Sequence, residues 1–296
     1  MKLGKRFMVK PHARLKLGEF DPDDTAGFEK GDETHARLEK NISRMEDLQY
    51  RLYAEGRRAV LIVLQGMDAS GKDGTVRHVM SGLNPQGCRV TSFKVPSAEE
   101  ASHDFLWRIH QAVPAHGQIG IFNRSHYEDV LVVRVHQLVP KSVWSARYDQ
   151  INAFEKLLSE NGVTILKFFL HISKEEQKER LEERLQDSAR NWKISPADLK
   201  EREHWNDYVK AYETVLSRCS TSAIPWFVIP SNKKWFRNLA VSQIVADTMD
   251  EMGLKLPPTR VDLDEIRRKY HTAEIERRAA EHSGSKGSSQ IGRAHV

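Results

Sequence analysis

The chain has 296 residues, 39% of them hydrophobic, and a net charge of +5. That length buries a core without staples, and the two cysteines, Cys88 and Cys219, lie too far apart for a metal-ligand or redox motif. No apolar run approaches a membrane span and the N-terminal stretch lacks a signal-peptide core, so a cytoplasmic protein with no membrane partner is expected.

Residues 1–32 are polar and broken by Pro11, Pro22 and Gly31, which predicts an arm wrapped around the domain or a neighbouring subunit. Leu38, Ile42, Met45, Leu48 and Leu52 recur at helical spacing between Thr34 and Glu55, and Gly56 ends that helix. The unbroken apolar run Ala59–Leu64 predicts a strand buried on both faces of a parallel sheet. A helix over "KDGTVRHVMSGL" follows, then a strand at 89–95, a helix through "AEEASHDFLWRIHQAV" and a strand at 118–122. Helices are expected at about 126–138 and 142–160, and strands at 163–172 and 225–230. Strands alternating with helices predict a three-layer α/β architecture: a parallel five-stranded sheet flanked by helices and joined by right-handed crossovers. A charged helical stretch, about 173–218, separates the last two strands and would emerge at the phosphate-binding end of the sheet. It reads as a mobile basic lid, against the plainer reading of a solvated helix pair. These spans make 33–258 one domain with that lid, and 259–296 a C-terminal helix with a disordered, Gly/Ser-rich tail.

The stretch "AVLIVLQGMDASGKDGT" places Gly66, Gly71 and Lys72 at the spacing of a phosphate-binding loop, between a strand and a helix as that motif requires. Its glycines let backbone N–H groups converge on an anion, the helix start adds a positive dipole end, and Lys72 reaches terminal phosphates. The hydroxyl residue that ordinarily follows the lysine and serves magnesium is replaced by Asp73. Asp68 inside the loop either caps the turn or, since a carboxylate repels phosphate unless a cation intervenes, holds that cation or aligns an attacking phosphate oxygen. Asp73 either does similar work or stabilises the first helical turn. Gly66, Met67, Ala69, Ser70, Gly71, Asp73, Gly74 and Thr75 are the candidate phosphate and nucleotide contacts of the loop.

In "IGIFNRSHYEDVLVVRVH" the strand ends in Asn123, where a metal-holding carboxylate is usual, and the acids come later at Glu128 and Asp129. Arg124 at the strand end is placed for bidentate phosphate contacts. Tyr127 is read as packing. In the lid, Arg180 and Arg184 share a helix face and Lys193 follows; Arg77 and Arg134 could extend a basic track for an anionic chain. "NKKWFR" at 232–237 is either part of that track or a surface cluster. Lys94, after the second strand, is the candidate acceptor-nucleotide contact. The histidines lack ligand spacing, so zinc is not expected, and Trp192 and Trp205 are read as lid packing. Basic residues interleaved with acids, and no aromatic stacking platform, argue against a nucleic-acid partner.

From residue 34 to about 255 the chain resembles the polyphosphate kinase 2 family, in "GMDASGKDGT", "FNRSHYEDVLVVRVH", "HISKEEQKERLEERL", "NWKISPADLKEREHWNDYVKAYE" and "PWFVIPSNKKWFRNLAVSQIV", in that order. The resemblance implies a P-loop kinase fold, magnesium, a homo-oligomer, and phosphoryl transfer between inorganic polyphosphate and nucleotides. Many members carry Asp-Arg-Ser where this chain has Asn123-Arg124-Ser125, and Asn in place of Glu128. The Asn123/Glu128 pair resembles the class III branch, which implies that AMP and ADP are both phosphorylated, with ATP as end product. In this reading Lys72 and Arg124 clamp the transferring group, while Asp68 and Glu128 organise magnesium. The alternative is an ATP-dependent nucleoside monophosphate kinase of the thymidylate-kinase type; an idle anion- or nucleic-acid-binding module ranks below both.

Overall fold

Strand β1, Ala59–Gln65, is buried along its whole length and lies at the centre of the sheet. The computed structural model describes residues 3–11, 13–189, 191–193 and 196–286, without the side chains of 193, 196–198 and 279–286. Helix α1 (Leu3–Phe7) and the long α2 (Asp32–Glu55) precede β1; α3 (Lys72–Val79) and β2 (Cys88–Ser92) follow it. Next come α4 (Ala98–Ala101), α5 (Trp107–Ala112), β3 (Ile119–Asn123), a 3-10 turn (His126–Val130), α6 (Val132–Val135), α7 (Lys141–Glu160) and β4 (Val163–His171). Between β4 and β5 (Trp226–Pro230) lie α8 (Lys174–Gln186), α9 (Pro196–Glu203) and α10 (Trp205–Arg218), and α11 (Lys234–Glu251) closes the domain.

All five strands are parallel, in the order β2-β3-β1-β4-β5. The chain leaves β1 for β2 and β3 on one side, then crosses to β4 and β5 on the other. Ligands of such sheets bind at the carboxyl ends of the strands where the direction of winding reverses. The alternation along β1 explains the three layers. Val60, Ile62 and Leu64 pack with Met45, Leu52, Phe236 and Ile244 of α2 and α11, while Leu61 and Val63 pack with Ile109, Tyr148, Ile151 and Val215 of α5, α7 and α10. Fully burying each such aliphatic side chain contributes roughly 1.5–3 kcal/mol.

The N-terminal arm crosses the edge of β5. Leu3 and Phe7 enter one core layer, Val9, Leu15 and Leu17 the other, and Val9 N donates to Trp226 O at 2.8 Å. Those contacts cover backbone groups that an open sheet edge would otherwise present to other chains.

Two helices expected as continuous are broken. The one through 98–113 divides into α4 and α5, because Asp104 Oδ1 accepts Leu106 N at 2.9 Å and starts a new turn. The one expected at 126–138 begins as a 3-10 turn, capped by Ser125 Oγ accepting Tyr127 N at 3.2 Å, and only Val132–Val135 is α-helical. Strand β2 stops at Ser92, three residues short of the expected end. Phe93 N still donates to Asn123 O at 3.1 Å, and Pro96, without an N–H, cannot extend the ladder.

Residues up to Lys255 form one compact unit, and Leu256 begins a second that carries helix α12, Leu263–Lys286. The side chains of residues 263–278 are exposed. The tail beyond Lys286, expected to be disordered, lies outside the described residues. Among the described residues, no helix is long and apolar enough to cross a membrane.

Candidate active site

The parallel register sets Leu64 of β1 opposite Asn123 of β3, and Arg124 N donates to Leu64 O at 3.1 Å. The glycine loop after β1 and the arginine after β3 therefore start side by side. Gly71 sits at φ 100°, and a Cβ built on it would lie 1.7 Å from Arg237 Nη1, so any side chain there would strain the backbone and displace the Arg237 guanidinium. Ala69 and Arg124, at φ 63° and 61°, also occupy the left-handed region. For a non-glycine residue this costs on the order of 1 kcal/mol, strain typical of sites where the backbone is held for function.

Arg124 is where the site's charges meet. Its Nη2 lies 2.6 Å from Asp68 Oδ1 and its Nη1 3.6 Å from Glu128 Oε2. Those two carboxylates raise its pKa against the opposing effect of burial, so it is a permanent cation. Lys72 is buried, and its Nζ donates to Gly66 O at 2.7 Å and Met67 O at 3.2 Å. Burial, and secondarily the neighbouring Arg124, lower its pKa to about 8. Asp73 Oδ1 accepts from Asn123 Nδ2 at 2.7 Å, tying the first turn of α3 to the end of β3.

A small cavity of about 40 Å³ lies where these groups converge, with Gly66, Asp68, Arg124 and Glu128 on one side and Glu201, Trp205, Tyr208 and Tyr212 of α9 and α10 on the other. Tyr208 OH donates to Glu201 Oε2 at 2.7 Å, and burial raises the pKa of both tyrosines. Glu201 in turn lies 3.0 Å from His136 Nε2, at the end of α6. Trp205, expected as packing, does contact the apolar core, but it also lines this cavity.

Glu128 is carried on a turn anchored from beneath. Gln65 Nε2 donates to Ser125 Oγ at 3.0 Å; Tyr127 OH donates to Glu155 Oε1 at 2.7 Å; Lys167 Nζ donates to Glu155 Oε2 at 2.6 Å. His126 Nε2 lies 3.2 Å from the same Glu155. Tyr127 is accordingly buried packing, as expected, with its hydroxyl directed into the core.

The basic track is divided by the structure. Arg180 is 5% exposed and turned inward, donating to Glu176 Oε1, Ala69 O, Ser231 O and Asn232 O. Expected from the sequence as a contact to an anionic chain, Arg180 instead has its guanidinium enclosed by Glu176 and three backbone carbonyls. Arg134 donates to Tyr148 OH and Thr214 Oγ1 and stacks over Trp144. Arg77 is exposed on α3, and the half-buried Arg184 makes no ion pair among the described residues. The side chain of Lys193 lies outside the described residues. Lys94 is exposed and lines a second cavity of about 290 Å³ at the end of β2, with Arg89, Phe93, Glu100 and Arg108. Arg108 Nη1 donates to Lys94 O at 2.8 Å and shapes its wall.

Sequence reasoning passed over Gln65, Gln177, Glu201, Tyr208 and Tyr212; Arg237, read within "NKKWFR" as part of a basic track or of a surface cluster, is instead buried against Ser70 O of the loop. Gln65 carried a signal, as the lone polar residue closing an apolar strand. Tyr208 and Tyr212, four apart on one helix face, carried a weaker one.

The donor set suits magnesium. Asp68 and Glu128 are hard oxygen donors beside a phosphate loop, and Mg²⁺ is commonly held by one or two carboxylates together with substrate phosphates and waters. Among the described residues, no group of three or more His, Cys, Asp or Glu forms an all-protein metal cage.

The family model for polyphosphate kinase 2 matches residues 29–257. The chain is 50% identical over 263 residues to an AMP/ADP-polyphosphate phosphotransferase of Meiothermus ruber, covering 88% of this chain and 98% of that protein. It is 46% identical over 267 residues to an ADP-polyphosphate phosphotransferase of Rhodopseudomonas palustris, covering 86% and 92%. The crystal structure of polyphosphate kinase 2 from Arthrobacter aurescens TC1 superposes with a TM-score of 0.88 at 41% identity, covering 92% of this chain and 97% of that one. With its phosphate loop and strand-end arginine within one matched segment, this chain belongs to the polyphosphate kinase 2 family and is a phosphotransferase.

Proposed function

We propose that the protein transfers the terminal phosphoryl group of inorganic polyphosphate to AMP and ADP, forming ADP and ATP. The observation that carries this reading is Arg124, strained at φ 61° and set against the phosphate loop between Asp68 and Glu128. Phosphoryl transfer asks for positioning and charge neutralisation more than for a covalent partner. Lys72 and Arg124 supply two cations at one point, and the loop amides supply the cradle. The similarity to the Meiothermus ruber enzyme supports AMP and ADP as acceptors.

Magnesium, held by Asp68 and Glu128, would neutralise phosphate oxygens during transfer. Lys72 leaves its two carbonyl partners to meet the transferring group, and Arg124 stays charged throughout. The acceptor occupies the cavity beside Lys94, next along the sheet from Arg124. The helices α8–α10 act as the lid, with Arg184, Lys193, Arg77 and Arg134 as chain contacts. The enzyme works in the cytoplasm as a homo-oligomer, on nucleotides and without nucleic acid.

The test is nucleotide production by the purified protein with magnesium, from AMP plus polyphosphate and from ADP plus polyphosphate, beside reactions with ATP or GTP as donor. Product in both polyphosphate reactions is expected. Turnover only with a nucleoside triphosphate would replace this reading with the nucleoside monophosphate kinase. Glu128→Asn is expected to shift activity away from AMP, and an unchanged AMP/ADP ratio would remove the argument from Glu128.

A further inference from the structure

Each carbonyl of the phosphate loop has an assigned donor, and the donors fall into two groups. Gly66 O and Met67 O accept from Lys72 Nζ within the loop. The next three are held by side chains from other helices. Gln177 Nε2 donates to Asp68 O at 3.0 Å, Arg180 Nη1 to Ala69 O at 2.8 Å, and Arg237 Nη1 approaches Ser70 O at 3.4 Å. Gln177 and Arg180, three residues apart on α8, are 4% and 5% exposed. Arg237, on α11, is 3% exposed and, among the described residues, its other hydrogen bonds go to Asn238 Oδ1.

A trans peptide holds its C=O and the following N–H antiparallel. Fixing a loop carbonyl from behind therefore fixes the direction of the next amide. The hold on Asp68 O orients Ala69 N–H, and that on Ser70 O orients Gly71 N–H. The hold on Ala69 O backs the peptide whose Ser70 N–H closes the turn on Met67 O at 3.1 Å. Arg180 also grips Asn232 O at 2.9 Å, just beyond β5, so loop, α8 and the end of β5 form one clamp.

Gln177 is held at its other end as well. Its Oε1 accepts from Arg202 Nη1 at 2.8 Å, and Arg202 belongs to α9. A continuous path thus runs from α9 through Arg202 and Gln177 to Asp68, whose carboxylate meets Arg124. We infer that Gln177 and Arg180 are positioning residues that shape the phosphate loop from the root of the β4–β5 insertion, and that Arg202 couples Gln177 to its outer helices. This rests on the phosphoryl-transfer reading of the loop. It assigns Arg180 to shaping the loop instead of contacting a polyphosphate chain.

The test compares Gln177→Leu, Arg180→Ala, Arg180→Lys and Arg202→Ala with Arg184→Ala, measuring kcat and KM for polyphosphate and the melting temperature of each. Gln177→Leu is expected to lower kcat about 10- to 100-fold with little change in KM, the penalty of misplaced reacting groups. Arg202→Ala should lower kcat in the same direction by less. Arg180→Lys should remain as slow as Arg180→Ala, because an ammonium cannot span the carbonyls that a guanidinium fork does. Arg184→Ala should instead raise KM. Wild-type kcat in Gln177→Leu overturns the inference, and so does a KM-only defect in Arg180→Ala that Arg180→Lys restores. Should the Arg180 variants fail to fold, Gln177→Leu and Arg202→Ala decide. A wild-type protein that turns over only ATP refutes the donor assignment alone, and the same comparison is then read on that reaction.

Discussion

Lys72 carries a consequence that rate measurements can read. Buried beside Arg124, its ammonium has a pKa lowered to about 8 in the ligand-free protein. A neutral amine no longer attracts phosphate, so kcat/KM for the donor should fall as pH rises through about 8, because that ratio reports the free enzyme. The kcat profile should break at higher pH, since a bound phosphate favours the charged form. Lys72→Arg, charged across the whole range, should abolish the break while lowering the rate. A wild-type kcat/KM flat to about pH 9.5 would refute this account. The residue scale also shows what a lone sequence conceals. Arg180 and Arg184 look equivalent in "ERLEERL", yet one is enclosed by backbone carbonyls and the other borders solvent.

At the scale of elements, the turn 126–130 is set by what lies under it. Glu155 and Lys167, from α7 and β4, form a buried pair that also binds Tyr127 OH, with His126 alongside. Burial alone would raise the Glu155 pKa, but Lys167 and His126 outweigh it and the result is lowered. Removing one partner of such a pair strands a buried charge, at a cost of about 3–5 kcal/mol. Lys167→Met should therefore lower stability to denaturant by that amount, and adding Glu155→Leu should recover part of it. Equal stability of wild type and Lys167→Met would show that the pair is not what supports the turn. The same contacts explain the misread helix. The apolar spacing of Tyr127, Val130, Leu131 and Val135 is real, but Ser125 capping and the Glu155 anchor impose a tighter first turn.

For the whole molecule, the sheet order is what assembles the site. Parallel pairing of β1 with β3 brings residues 66–72 beside Arg124, and pairing with β4 brings α8 behind the loop. The first unit ends at Lys255 and has its own core, while the side chains of residues 263–278 in α12 are exposed. A chain ending at residue 258 should keep its kcat and melt within about 2 °C of the full chain, since roughly 1 kcal/mol shifts a domain of this size by 2–4 °C. A larger fall would count against the independence of the first unit.

The sequence by itself determined the alternation of strands with helices and the chemistry of the loop. Unbroken apolar runs specify buried parallel strands, glycines at fixed spacing specify a phosphate cradle, and both signals are local. It also placed Arg124 near that cradle, because a residue at the carboxyl end of a parallel strand lies at the phosphate end of the sheet, whereas Glu128 was singled out only by the resemblance to the family. Tertiary structure alone decided which arginines face inward, what holds the loop carbonyls, and that Tyr208, Tyr212 and Glu201 close over the site. Those outcomes depend on partners more than a hundred residues away, such as Gln177 against Asp68 and Arg180 against Ala69. Hydrogen bonds between such distant groups leave no periodicity or spacing in the chain, so only the packed fold reveals them.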